Sequence, residues 1–156
     1  NTREAMTACQ AASETGLPYS LGLRIENDGA LRSGESLLET IEQAMVFNPS
    51  AVLINCSEPE ITTQVMPQLA SLGVPFGGYA NGFVSVEALP DGATVDALQR
   101  RPDVTVEAYA DWVLQWIAAG ATVVGGCCEI TPEHIAHLHR TLEPDVQVSL
   151  WSDTVR

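Results

Sequence analysis

Four of the 156 residues are cysteines, and two of them, Cys127 and Cys128, stand side by side in the stretch ATVVGGCCEITPEHI, residues 121–135. A third, Cys56, directly follows the apolar run AVLIN at 51–55. Both positions lie just past short Val- and Ile-rich segments that read as strands, and parallel α/β architectures gather the carboxyl ends of their strands on one face. Thiols 71 positions apart (127 minus 56) are therefore expected to converge. Three thiolates suit zinc, which they bind at about 2.3 Å in tetrahedral geometry, and three ligands leave a fourth position for solvent or substrate. Such a complex carries a formal charge of about -1, so a substrate thiol taken as fourth ligand keeps its nucleophilic character, which is chemistry for alkylating a sulfur. Gly125 and Gly126 allow the backbone to come close at that point. On residue types alone a strained vicinal disulfide and plain core packing stay open beside the metal site, because structural zinc ligands are normally spaced by two to four residues. Cys9, on a helix face, reads as a small hydrophobe.

The elements that must position these thiols alternate in the rhythm of repeated βα units. The spacing predicts a helix over 2–15, with Ala5, Cys9 and Ala12 on one face, stopped by Gly16 ahead of Pro18. YSLGLRI (19–25) reads as a strand and Asn27-Asp28-Gly29 as a turn. Ser36 with Glu39 offers a capping box for a helix that turns Leu37, Ile41, Ala44 and Met45 inward and ends near Asn48-Pro49. The strand 51–55 is apolar throughout, as buried parallel strands are. Ser57 with Glu60 offers a second capping box, for a helix carrying Ile61, Val65, Leu69 and Leu72 and closed by Gly73. A strand over 74–80 ends at Asn81. The connection 82–101 is too long for an ordinary loop and reads as an insertion or a lid. A helix over 105–119 places Tyr109, Trp112, Val113, Trp116 and Ile117 inward. Gly120 stops it, ATVVGG (121–126) forms the fourth strand, and Thr131-Pro132 opens the last helix. Four βα units in one domain fit an open doubly wound sheet or part of a barrel, and no phosphate-binding glycine loop follows any strand.

Composition narrows the partners. Twenty acidic against seven basic side chains give a formal charge of -13, which argues against nucleic acid and anionic membrane surfaces, both of which recruit clustered Lys and Arg. No apolar run approaches the roughly 20 residues of a membrane span, and NTREAMTACQ lacks the charged start and apolar centre of a signal peptide, so a reducing cytoplasm is the expected compartment. Four cysteines are too few for a disulfide scaffold.

INC at 54–56, YANGF at 79–83 and above all WIAAGATVVGGCCEITPEHI at 116–135 resemble the zinc-dependent homocysteine S-methyltransferase family, and the likeness extends over nearly the whole chain. The resemblance implies an α/β fold of parallel βα units that forms the C-terminal half of a (β/α)8 TIM-type barrel. Residues 1–156 would be a partial homocysteine-binding domain without the first four barrel strands. It implies Cys56, Cys127 and Cys128 as ligands of Zn2+ and as the catalytic residues, with homocysteine's thiol as the fourth ligand. Asn81 matches an asparagine that in the family lies beside the metal, which implies a substrate-binding role, orienting substrate, or occupation of the open position when no thiol is bound, although "NG" alone also favours a left-handed turn. The implied reaction moves a methyl group from a donor such as S-methylmethionine to homocysteine, giving methionine; a sulfonium donor suits an acidic chain around an anionic metal site. The alternatives are a non-catalytic zinc- or thiol-binding module, an inactive fragment of the enzyme, or a thiol-redox protein. A half-barrel has two unpaired sheet edges, so pairing with a second copy or with a missing N-terminal half is expected. Glu129 stands where many members have glycine.

His134, His137 and His139 lack metal-pair spacing and read as surface or interface residues. Trp112 and Trp116 read as core. Glu26 and Asp28, after the first strand, read as solvated loop charges or as contacts to a cationic donor.

Overall fold

The computed structural model describes residues 1–84, 94 and 98–142. In chain order they form α1 (Thr2–Glu14), β1 (Ser20–Leu23), α2 (Leu37–Ala44), β2 (Ala51–Asn55), α3 (Pro59–Leu69), β3 (Phe76–Tyr79), α4 (Val106–Ala118), β4 (Val123–Val124) and α5 (Pro132–Leu142). Most of the 82–101 connection lies outside the described residues, and its reading as an insertion or lid falls there.

All four strands are parallel and pair in the order β1-β2-β3-β4. A doubly wound sheet reverses direction at a switch point, whereas this one advances one strand at a time, as an arc of a barrel does. One face of the arc is apolar: Leu21, Leu23, Val52, Ile54 and Phe76 are each no more than 8% exposed and join the helices in a single core. The positions between them carry a different chemistry. Register sets Gly22, Leu53 and Gly77 in one lateral row and Asn55 beside Tyr79 in the next. The Tyr79 hydroxyl lies across Gly22, only 2.8 Å from where a side chain would begin.

Local signals explain most boundaries. Asn1 and Glu4 form a capping box at the start of α1, and Ser36 accepts from the Glu39 N–H at the start of α2. Gly73, at φ 71, takes the left-handed turn after α3 that its lack of a Cβ permits. The second capping box does not form. Glu58 is the residue that precedes α3, with no side-chain cap and with Pro59 in the first turn, while the Ser57 hydroxyl accepts the Ile25 N–H at 3.0 Å. Proline presets the helical φ without needing a cap, which frees the serine to join the loop after β1 to the loop after β2.

Two further expectations change. The outer strands are shorter than their patterns, β4 spanning two residues rather than six. His134 is 2% exposed, not a surface residue. Its Nδ1 accepts the Thr131 N–H at 3.1 Å, so its proton resides on Nε2 and points to the Val104 carbonyl at 3.3 Å. His134 and Trp116 both pack edge-on against Tyr109, at centroid distances of 5.9 and 6.0 Å, and Trp116 donates to the Thr63 hydroxyl at 2.7 Å. Trp116 is thus the core residue its spacing predicts, and α3, α4 and α5 are tied together through that aromatic group.

Candidate metal centre

Two strand ends deliver the thiols, and the end of β3 lies between them. β2 runs directly into Cys56, whose N–H donates to the Tyr79 carbonyl at 3.0 Å and so extends the β2–β3 ladder by one rung. The chain then turns sharply at Cys56, which sits in the left-handed region at φ 51. Beyond β4, the Cys127 N–H donates to the Ala80 carbonyl at 2.9 Å, and the Cys128 carbonyl accepts from the Gly82 N–H at 2.9 Å. The sulfurs of Cys56, Cys127 and Cys128 consequently lie within 4.8 Å of one another. Cys9 is buried in the core under α1 and takes no part.

The spacing suits a metal. Thiolates about 2.3 Å from a tetrahedral ion stand about 3.8 Å apart along each edge, and Cys127 Sγ lies 3.8 Å from Cys128 Sγ. All four cysteines are free thiols. The electrostatics point the same way. A hydrogen bond from Cys56 holds the Cys127 thiol down to about 6, and the same bond, with burial, drives Cys56 far above the usual thiol range. Burial and the neighbouring Cys127 charge raise Cys128 as well. The three sulfurs thus oppose one another's ionisation, and a positive ion between them would favour full deprotonation.

Asn81, 2% exposed, binds backbone at both ends of its amide. Its Nδ2 donates to the Cys56 carbonyl at 2.7 Å, and its Oδ1 accepts the Phe83 N–H at 2.9 Å. This clamps the left-handed turn of Cys56 to the segment after β3. Gly126 is indispensable for room, since a Cβ there would come within 2.2 Å of the Ile130 side chain.

Residues that periodicity treats as filler also shape the site. Tyr109, fully buried, directs its hydroxyl between the ends of β3 and β4. Arg101 forks onto Glu60 at 2.9 and 2.6 Å, reaches Asp103 at 2.6 Å and lies 5.8 Å from the centre of the Trp112 ring, which fastens the return of the 82–101 connection to α3. Arg101 pairs with the acidic groups at 58, 60 and 103, of which only the nearby Asp103 gives a local signal that could have found it. Glu129, at φ 65, occupies a left-handed position where glycine is easiest. Glu26 pairs with Arg24 at 3.0 Å, and Asp28 accepts the Ala30 N–H within its turn. Glu26 is thus partly buried rather than a solvated charge, whereas Asp28 is an exposed turn residue.

A family model described as homocysteine S-methyltransferase matches residues 1–142. The homocysteine S-methyltransferase of Escherichia coli is 36% identical over 89 residues, 56% of this chain and 27% of that one. The selenocysteine methyltransferase of Astragalus bisulcatus is 31% identical over 97 residues, 59% of this chain and 26% of that one. The homocysteine S-methyltransferase 2 of Saccharomyces cerevisiae is 28% identical over 135 residues, covering 78% and 38%. Among solved structures, the homocysteine methyltransferase MmuM of E. coli in its metallated form aligns with a TM-score of 0.66 at 24% identity, over 90% of this chain and 42% of that chain. The chain thus spans between 26% and 38% of the length of these curated relatives.

Proposed function

The chain belongs to the homocysteine S-methyltransferase family, and from that premise we propose that it carries the metal half of a site that methylates the thiol of homocysteine. The observation that carries this reading is the convergence of Cys56, Cys127 and Cys128 within 4.8 Å from strand ends that are remote in sequence. Those three thiolates would hold zinc, which when bound lowers the pKa of a substrate thiol from its ordinary value near 8.5 and leaves it nucleophilic.

The chain's own residues set the stage. Cys127, whose thiol pKa is held down by its Cys56 neighbour, would be the first sulfur to give up its proton. Asn81 keeps Cys56 aimed at its partners through the Cys56 carbonyl, and we assign it a role in orienting the thiol substrate through that ligand. The donor is a sulfonium such as S-methylmethionine. Its S–CH3 bond breaks as a new S–CH3 bond forms on homocysteine, the sulfonium becomes a neutral thioether, and the thiol proton passes to solvent, giving methionine. A formal charge of -13 favours the approach of a cationic donor over an anionic one.

β1 and β4 are the outer strands of the sheet. A complementary half-barrel, in a second copy or in another stretch of polypeptide, would pair with those edges and cover the polar inner face around Asn55 and Tyr79. The reaction would take place in the cytoplasm, where the thiols stay reduced. No described helix is long and apolar enough to cross a membrane.

Metal analysis combined with a methyl-transfer assay tests the reading. The expected result is one zinc per chain, replacement of an oxygen or nitrogen ligand by sulfur in the X-ray absorption spectrum when homocysteine is added, and methyl transfer from S-methylmethionine in the closed barrel. A metal-loaded, closed barrel inactive with every onium and folate donor would refute it.

A further inference from the structure

In a parallel ladder every second residue of one strand donates its N–H to one residue of the neighbour and accepts, through its carbonyl, from the residue two further on. Across β3 and β4 the Gly125 N–H donates to the Gly78 carbonyl at 3.1 Å. The rule then requires the Gly125 carbonyl to accept from the Ala80 N–H. That rung is interrupted. The Ala80 N–H donates instead to the Tyr109 hydroxyl at 3.2 Å, and the same hydroxyl donates to the Gly125 carbonyl at 2.7 Å. One rung later the ladder is direct again, with the Cys127 N–H on the Ala80 carbonyl at 2.9 Å.

We propose that Tyr109 is a positioning residue for the metal centre: its hydroxyl, interposed in a single rung, holds the β4 end away from the β3 end and thereby sets the distance between Cys56 and the Cys127-Cys128 pair. The inference rests on the reading of the three thiols as metal ligands. Cys56 is bonded to Tyr79 and Cys127 to Ala80, so the two sides of the cluster hang on consecutive residues, the last of β3 and the one after it, and the wedge acts on the second of them. The interrupted rung also accounts for β4 ending at Val124 rather than at Gly126.

The wedge is rigid. Tyr109 is fully buried, its ring is held edge-on between Trp116 and His134, and His134 is itself fixed through Thr131 and Val104. Because the hydroxyl accepts from a backbone N–H, its own proton can only point at Gly125, so the relay has one direction. A phenylalanine keeps the ring and both edge contacts but loses both bonds. Ala80 and Gly125 then close onto each other, and the paired cysteines follow by a sizeable part of an ångström, where metal sites tolerate about 0.2 Å. Partners behind metal ligands typically contribute 10- to 100-fold in affinity.

The test compares zinc affinity, by competition with a chromophoric chelator, and the cobalt(II) absorption spectrum for the unmodified chain, Tyr109→Phe and Thr63→Val. Thr63→Val removes the acceptor of the Trp116 indole and loosens α4 without touching the rung. The expected result is a roughly 10- to 100-fold loss of affinity and an altered cobalt spectrum for Tyr109→Phe, against an unchanged affinity and spectrum for Thr63→Val at a similar loss of melting temperature. Equal affinities and spectra in all three proteins, or equal losses in the two variants, would overturn the proposal. If Tyr109→Phe does not fold, the hydroxyl proton of Tyr109 in the unmodified chain, followed by NMR during zinc titration, decides instead: a shift in step with the Cys127 amide supports the wedge, and a signal indifferent to zinc overturns it. Failure of the unmodified chain to bind zinc at all is the separate outcome that removes the metal reading itself, and this inference with it.

Discussion

Replacing Gly77 with alanine tests whether the seam between β3 and β4 is as tight as the structure shows. A Cβ at position 77 would stand 1.7 Å from the Val123 carbonyl oxygen and 2.7 Å from its carbon, where an ordinary contact needs more than 3 Å. The obstacle is backbone, so relief requires β4 to move by roughly 1.5 Å. That displacement breaks the flanking rungs, from Thr122 to Phe76 at 2.9 Å and from Gly125 to Gly78 at 3.1 Å. At about 1 kcal/mol for each bond, plus about 1 kcal/mol or more for overpacking, the expected loss is about 2–4 kcal/mol. The assay is a urea titration followed by circular dichroism, with zinc stoichiometry measured on the same samples. Gly16→Ala is the control: Gly16 has φ 71 and nothing within 4 Å, so an alanine there meets only left-handed strain of about 1–2 kcal/mol and leaves zinc binding intact. A Gly77→Ala protein within about 0.5 kcal/mol of the parent, with full zinc, would refute the reasoning.

Other outcomes follow from particular contacts. Cys128→Ser is expected to lower zinc affinity by orders of magnitude, whereas Cys9→Ala, altering a core thiol remote from the cluster, leaves stoichiometry unchanged; isothermal titration of both distinguishes them. Asn81→Ala strands the Cys56 carbonyl and the Phe83 N–H at a cost of about 2 kcal/mol, visible as a lower melting temperature and weaker zinc binding. Arg101 holds the Glu60 carboxyl below its usual range. The folded value is depressed, so the pair stabilises fully above the unfolded value near 4.5 and its contribution disappears as pH falls through the folded one. With Glu60 38% exposed the effect is screened to about 1 kcal/mol or less, and Glu60→Gln should flatten the melting temperature between pH 5 and 3 by that contribution.

The thiol triad was legible because each cysteine abuts an apolar β segment, and strand ends in parallel folds share a face. The βα order followed from period alone, with helix stops at Gly16, Gly73 and Gly120 marked by residue type. Periodicity did not separate a barrel arc from a doubly wound sheet; that distinction belongs to strand order, which long-range pairing decides. Ser57 misled because a Ser-x-x-Glu pattern describes a cap only when the hydroxyl has no better acceptor or donor nearby, and Ile25, 32 residues away, is a partner no local pattern reveals. His134 misled for a similar reason. Its helix position is readable, but the ring bonds that make burial tolerable come from Val104 and Thr131. Tyr109 was readable as core, while the rung its hydroxyl enters exists only once two strands have paired.

Cys56 and Glu129 both hold left-handed backbone, at φ 51 and φ 65, and each such residue carries about 1–2 kcal/mol of conformational strain that glycine would largely remove. Thermal tolerance and ligand content therefore rank variants in different orders. A selection that reads melting temperature alone gains from glycine at 129 with little loss, since the Arg100 pair at 3.6 Å is exposed and weak. The same selection is indifferent to Cys56→Gly, or rewards it, while discarding one sulfur in three. Any search for a hardier form of this chain must therefore be carried out with zinc added, so that the strained turn is scored together with the ligand role proposed for it.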